Sequence, residues 1–142
     1  MEDFNENKIR YLEMIQTTIT RMATNSFALK GWVVTLVAGI LALSSNDSDK
    51  KFILIAFIPI IIFWFLDSYY LQLERKYRAL FDYIRKNNVE INFDMNLKNF
   101  SNSFADDTTL NFFSCFFSKT EWLFYIPTAI IVGIVLKITN AF

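Results

Sequence analysis

The few side chains in this 142-residue chain that could do chemistry are charges set beside long apolar runs. Lys30 lies inside the apolar block 26–45, and Asp67 directly follows FILIAFIPIIIFWFL, residues 52–66. An ammonium or a carboxylate so placed is costly unless it is paired or meets water. If the two blocks are antiparallel helices, Lys30 and Asp67 reach similar depth and pair. The pair then either fixes helix register or marks an aqueous path lined by Asp67. Arg75, Arg78 and Arg85 fall on one stripe of the polar stretch that follows, with Asp82 between them. In a multi-copy assembly this stripe forms a ring of positive charge suited to an anionic ligand. Alone, it is a solvated face held by the i,i+4 pairs Glu74–Arg78 and Asp82–Lys86. Tyr77, like Tyr69, Tyr70 and Tyr83, is able to stack on bases or to pack in a helix seam.

Other chemistry is excluded more firmly. The chain has no His, which removes His triads, His general bases and most zinc sites. Its one cysteine, Cys115, sits in SCFFS and reads as structural; no internal disulfide is available. Asp106 and Asp107 form an acidic pair in a polar loop, destined for solvation or a helix cap. No phosphate loop, paired-carboxylate site or metal-ligand spacing is visible. The chain is therefore read as no enzyme and as needing no cofactor. A net charge of zero gives no global pull toward nucleic acid.

The elements that must position these residues are helical. The composition is 54% hydrophobic and 18% aromatic, concentrated in three blocks. This predicts an all-α membrane protein of one domain: an N-terminal amphipathic helix, three transmembrane helices, and a second one extended into the cytosol. Residues 4–24 carry Leu12, Ile15, Ile19 and Met22 at helical spacing. Residues 26–45 give the first span, after a cap or bend at Thr24, Asn25 and Ser26; Gly31, Thr35 and Gly39 form a small-residue row allowing close helix approach. The polar turn 46–51 leads to a second span, 52–71, kinked at Pro59 and continuing to residue 87. A helix from Phe52 to Asn87 would be roughly 54 Å long at ~1.5 Å per residue, more than a hydrocarbon core of about 30 Å. Its seam, Leu66, Tyr70, Leu73, Tyr77, Leu80 and Ile84, steps by four and three and wants a partner helix. Residues 88–118 read as an ordered cytosolic loop; Val89, Ile91, Phe93 and Met95 alternate with polar residues, as in a short strand or extended arm. Residues 121–138 give the third span.

Lys and Arg counted beside the spans set the orientation. Lys8, Arg10, Arg21, Lys30, Arg75, Lys76, Arg78, Arg85, Lys86, Lys98 and Lys119 fall on one side, and Lys50, Lys51 and Lys137 on the other. Eleven against three places the N-terminus in the cytosol and the C-terminus outside. The acidic start MEDFNENK does not read as a signal peptide.

At NSFALKGW (Asn25–Trp32) and FWFLDSYYLQLERKYRALFD (Phe63–Asp82), with FDM at Phe93–Met95 and the Phe124–Tyr125 pair, the chain resembles small three-span bacterial membrane proteins of anti-phage defence operons. It looks most like the Hailong-type channel effectors. That resemblance implies a homo-oligomeric inner-membrane channel, opposed by a nucleotidyltransferase partner whose oligonucleotide product holds it shut. The ligand would meet the N-terminal helices or the Arg75, Arg78 and Arg85 stripe with Tyr77. Three spans of this size scarcely enclose an aqueous path alone, so a channel needs several copies, with a tetramer as the working guess. Leu12, Ile15, Ile19, Met22, Leu73, Leu80 and Ile84 are the expected oligomer seam. The competing readings are a non-conducting membrane scaffold that recruits a cytosolic partner, and a toxin-like pore that needs no ligand.

Overall fold

A computed structural model describes residues 2–44, 50–87, 91–104 and 107–141. Within them lie α1 (Glu2–Ser44), α2 (Phe57–Lys86), the short α3 (Phe112–Phe116) and α4 (Lys119–Ala141). Stretches of 3-10 helix span Lys50–Ala56, Leu97–Phe104 and Thr108–Leu110. Three helices are long and apolar enough to cross a membrane, and the chain is an all-α membrane protein. α2 is the central one: 33% of its most apolar stretch is buried, against 11% for α1 and for α4.

The first expected boundary is absent. Thr24, Asn25 and Ser26 do not cap a new helix, and the amphipathic segment and first span are one helix. No Pro or Gly precedes Gly31 in α1. Its Thr-rich middle is helical throughout, with hydroxyls returned to carbonyls one turn back: Thr17 to Glu13 at 2.8 Å, Thr20 to Gln16 at 3.1 Å and Thr24 to Thr20 at 2.9 Å. Pro59 stands in the first turn of α2, three residues after the 3-10 stretch Lys50–Ala56 gives way to α-helix, so the helical geometry changes close to the proline expected to kink the span. Pro127 sits inside α4 without ending it. Of the polar turn 46–51, residues 46–49 lie outside the described residues.

α1 and α2 run antiparallel for most of their length and make two separate cores. Among the apolar segments, Val33 and Val37 of α1 meet Ile53, Ala56 and Ile60, and α4 adds Tyr125 and Val132. Beyond the apolar segments, α1 and α2 continue together as a two-helix stalk. There Tyr11, Ile15 and Ile19 bury against Leu80 and Ile84. The lower part of the seam, Tyr77, Leu80 and Ile84, is thus covered within one chain by α1 itself. Leu66, at its upper end, faces outward and is 41% exposed.

The connecting arm is ordered against the stalk, as expected. Ile91, Met95, Leu97, Phe100 and Phe104 pack on the Tyr11–Leu80 core. Its alternating pattern does not make a strand among the described residues, and the reason is local. Asn92, Asp94 and Asn96 each accept the backbone N–H two residues on, at 3.1, 2.8 and 3.1 Å. Three successive side-chain turns claim the N–H groups a strand would need. Phe93, between them, takes a positive φ of 54°, a costly conformation for an aromatic residue. The Tyr11 hydroxyl donates to the Asp94 carbonyl and ties the arm to α1. Asp107, the described member of the acidic pair, caps Thr108–Leu110 by accepting the Thr109 N–H at 2.9 Å. Val89 and Asp106 lie outside the described residues.

Two expectations follow. Leu80→Ala removes a fully buried side chain from the stalk core and should destabilise the protein by about 2–5 kcal/mol, read by thermal unfolding in detergent. Hydrogen bonds from Asn99 and the Asn96 N–H hold the Asp94 carboxyl below its ordinary value, and bonds from the Thr109 hydroxyl and N–H do the same for Asp107. Both carboxylates therefore favour the ordered arm above the unfolded value, and that contribution is lost as pH falls through the lowered one. Acidification should reduce hydrogen-exchange protection at the Asn96 and Thr109 amides, relative to their intrinsic rates, before it affects the helices.

Candidate functional site

The three long helices meet at one polar point. α1 brings Lys30, α2 brings Asp67, and the first turn of α4 brings Glu121. The antiparallel register of α1 and α2 that pairs Ile15 with Leu80 also sets Lys30 beside Asp67. The Lys30 ammonium is ion-paired with Asp67 Oδ2, lies 3.4 Å from Glu121 Oε1, and donates to Ser26 Oγ at 3.2 Å. The Tyr125 hydroxyl donates to the same Asp67 Oδ2 at 3.0 Å. Asp67, Glu121 and Tyr125 are 0% exposed.

Aromatic rings frame the cluster. Lys30 Nζ stands 5.9 Å from the ring centres of both Phe124 and Tyr125, within range of a cation–π attraction. Tyr125 stacks on Trp64 at 5.6 Å, and Trp64 stacks on Phe116 of α3 at 4.5 Å. The Trp64 indole N–H donates to the Phe116 carbonyl at 3.2 Å. α3 therefore acts as a wedge that sets Trp64, which in turn sets the Tyr125 ring and its hydroxyl. Cys115, in that wedge, is buried, and burial pushes its thiol above the usual range; it fits the structural role.

The expected Lys30–Asp67 pair is present, but it is half of a larger arrangement. Although no paired-carboxylate site is visible in the sequence, the fold makes one from Asp67 and Glu121. A signal was there to be read. Ser118-Lys119-Thr120-Glu121 has the Ser-x-x-Glu spacing of a helix start, where Glu ordinarily turns back to the cap. Here the Ser118 N–H goes to the Cys115 carbonyl at 3.0 Å, leaving Glu121 free to face Lys30.

The other candidates lie on the stalk and are not gathered into one site. Arg75 donates to the Thr109 carbonyl at 2.9 Å. Arg78 pairs with Glu74 at 2.7 Å, as expected, whereas Asp82 prefers Arg85 at 2.9 Å over Lys86 at 4.0 Å. Arg75 and Arg78 share a groove of about 380 Å³ with Asp82 and Asp107, while Arg78 and Arg85 line another of about 250 Å³ against α1. Tyr77 donates to the Met95 carbonyl at 3.4 Å and faces a third groove, about 740 Å³, with Arg10, Arg21 and Phe93. Of the expected oligomer seam, Ile15, Ile19, Leu80 and Ile84 are buried inside the chain, Met22 is 9% exposed, and Leu12 packs on the same core. Leu73 lines a groove with Leu97 and Phe104 of the arm. Ile15, Ile19, Leu80 and Ile84 thus serve the fold of one copy, while Leu12 and Leu73 are half-buried.

No protein-family model, no curated protein and no solved structure matches this chain.

The cluster makes Lys30 the less replaceable member. Lys30→Met leaves buried carboxylate without its cation and should cost about 3–5 kcal/mol. Asp67→Asn leaves Lys30 with Glu121 as counter-ion and should cost about 1–2 kcal/mol. Thermal unfolding of the two variants in one detergent checks the order; equal losses would mean that Glu121 does not share the lysine.

Proposed function

We propose that the chain is the subunit of a homo-oligomeric channel or pore effector of the bacterial inner membrane, acting in anti-phage defence and gated by a cytosolic nucleotide or oligonucleotide. In this reading the N-terminus and the stalk are cytosolic and the C-terminus is outside, in line with the eleven-to-three imbalance of Lys and Arg.

The observation that carries the reading is the outward face of α1. Lipid-facing positions favour large apolar side chains, and α2 and α4 follow that rule. Ile58, Ile61, Ile62 and Phe65 of α2 are exposed, as are Leu123, Ile130, Ile131 and Ile134 of α4. α1 departs from it. At 3.6 residues per turn, the face opposite its buried side carries Ala28, Gly31, Thr35, Ala38 and Gly39, all exposed. Large residues flank this face, Phe27 and Val34 on one side and Trp32 and Leu43 on the other. The face continues down the stalk as Thr24, Arg21, Thr20, Thr17 and Glu13, also exposed. Small and hydroxylated residues suit close helix approach or a wet lining, and are a poor match for lipid tails. Several copies with their α1 helices turned inward give one continuous small and polar surface along a central axis. The groove that joins Arg10 and Arg21 to Tyr77 and Phe93 borders this face and offers cations and rings to a nucleotide.

The test is electrical. Purified full-length protein in planar bilayers should pass current, and cytosolic oligonucleotide should change it. A Cβ added at Gly31 meets nothing within 4 Å in one copy, so Gly31→Leu should fold and insert normally. It should nonetheless abolish the current by filling the shared face, while Ile134→Val on α4 leaves it unchanged. With Cys115→Ala as background, a thiol-reactive cation should block Thr35→Cys. Absence of current under every condition would favour the non-conducting scaffold. Current indifferent to oligonucleotides would favour the ligand-independent pore.

A further inference from the structure

The polar point where α1, α2 and α4 meet has an unbalanced charge. One ammonium, Lys30, faces two carboxylates, Asp67 and Glu121. From α1 the group facing Glu121 is Lys30, from α2 Asp67, from its own helix the neutral Tyr125 hydroxyl, and from α3 the neutral Cys115 thiol. Fully ionised, the cluster would carry one net negative charge in a place where both carboxylates are 0% exposed. A buried, uncompensated charge is so costly that such a group takes up a proton instead.

The contacts say where the proton sits. Asp67 Oδ2 receives both the Lys30 ammonium and the Tyr125 hydroxyl, so Asp67 is the carboxylate stabilised as an anion. Glu121 receives only the second, longer approach of Lys30, at 3.4 Å. Asp67 Oδ1 and Glu121 Oε2 are both buried with no hydrogen-bond partner, and both carboxyl groups are drawn to the one Lys30 ammonium. Two buried acceptors beside one cation lack one thing, a hydrogen. We propose that this cluster is a proton-binding site: Glu121 carries one proton taken from water and donates it to Asp67, bringing the junction of the three helices to zero net charge.

The consequence is directional. Raising the pH returns the proton to water, leaves Glu121 and Asp67 repelling across the α2–α4 contact, and loosens α4 from the other two helices. This holds whether or not the assembly conducts.

Infrared spectroscopy of the full-length protein in detergent tests it. At neutral pH a protonated carboxyl C=O band should be present and should shift in deuterium oxide. It should shift with carbon-13 glutamate labelling and not with aspartate labelling, a result that depends on no variant folding. Glu121→Gln should lose the band, and Glu13→Gln, at an exposed carboxylate, should keep it. As pH rises from the ordinary glutamate range to above neutral, the thermal midpoint of the wild type should fall relative to that of Glu121→Gln. Absence of the band, or its survival in Glu121→Gln, overturns the proposal. A missing band together with a midpoint that rises with sodium or potassium would overturn it in favour of a metal cation at the same oxygens.

Discussion

An ion that cannot be left alone in an apolar slab governs this fold. Lys30, Asp67 and Glu121 each bring an ionisable group to the end of an apolar segment, and there they meet one another. Apolar packing between membrane helices is forgiving, because lipid tails resemble Leu and Ile and a helix slipped by one turn loses little. A slip that separates the Lys30 ammonium from the Asp67 carboxylate exposes both to hydrocarbon. The pair therefore selects one register between α1 and α2, and Glu121 ties the start of α4 to the same level. The α1–α2 register then fixes the stalk, where Ile15 and Ile19 must fall opposite Leu80 and Ile84. Hydrophobic burial stabilises the stalk, but the ion pair decides which residues are buried together.

The two ends of the molecule use different physics for this reason. In the stalk, water competes for polar groups, so a buried apolar stripe is enough to hold two helices and the arm follows it. The arm's own shape comes from Asn92, Asp94 and Asn96, whose side chains take over backbone N–H groups and keep a strand-like sequence from pairing as one. Among the apolar segments the burial term is weak, and polar contacts and ring stacking carry specificity. The chain Phe116–Trp64–Tyr125–Asp67 runs from the wedge helix to the ion pair through two stacked contacts and one hydrogen bond. It links the arm's arrival at the bundle to the charge at its centre.

Much of this was legible in the sequence, and the gaps have physical causes. Long apolar blocks and a four-three seam announce helices and their length, because periodicity is local. Lys30 and Asp67 were legible as a pair because only antiparallel spans were needed to bring them together. Glu121 was not: it stands one residue before the first Trp of an apolar run, where it reads as a helix start, and its turn toward Lys30 depends on how three helices meet. The break expected near Thr24 is absent: α1 runs through, and the Thr24 hydroxyl turns back to the Thr20 carbonyl. The seam expected to join copies was legible as a seam, but a periodic stripe does not say whose helix will cover it. α1 of the same chain is nearer than any second molecule, and it covers Leu80 and Ile84 first.

That closure moves the question of assembly to what one copy leaves uncovered. With the stalk seam filled, the exposed surfaces of the apolar segments divide by residue size. α2 and α4 present Ile, Leu and Phe, which lipid satisfies, whereas the α1 face of Ala28, Gly31, Thr35, Ala38 and Gly39 presents neither bulk to lipid nor a cavity to a neighbour in its own chain. On this helix the small residues form a strip between exposed Phe27 and Trp32, the surface on which the proposed assembly would close. The proton-bearing cluster stands on the opposite face of α1, so one helix connects the two. A change in charge at Lys30 acts on the helix whose far side would line the shared surface, and 43 residues of unbroken α-helix carry the displacement into the stalk. α1 is thus one continuous helix, held on one face by an ion pair and open on the other.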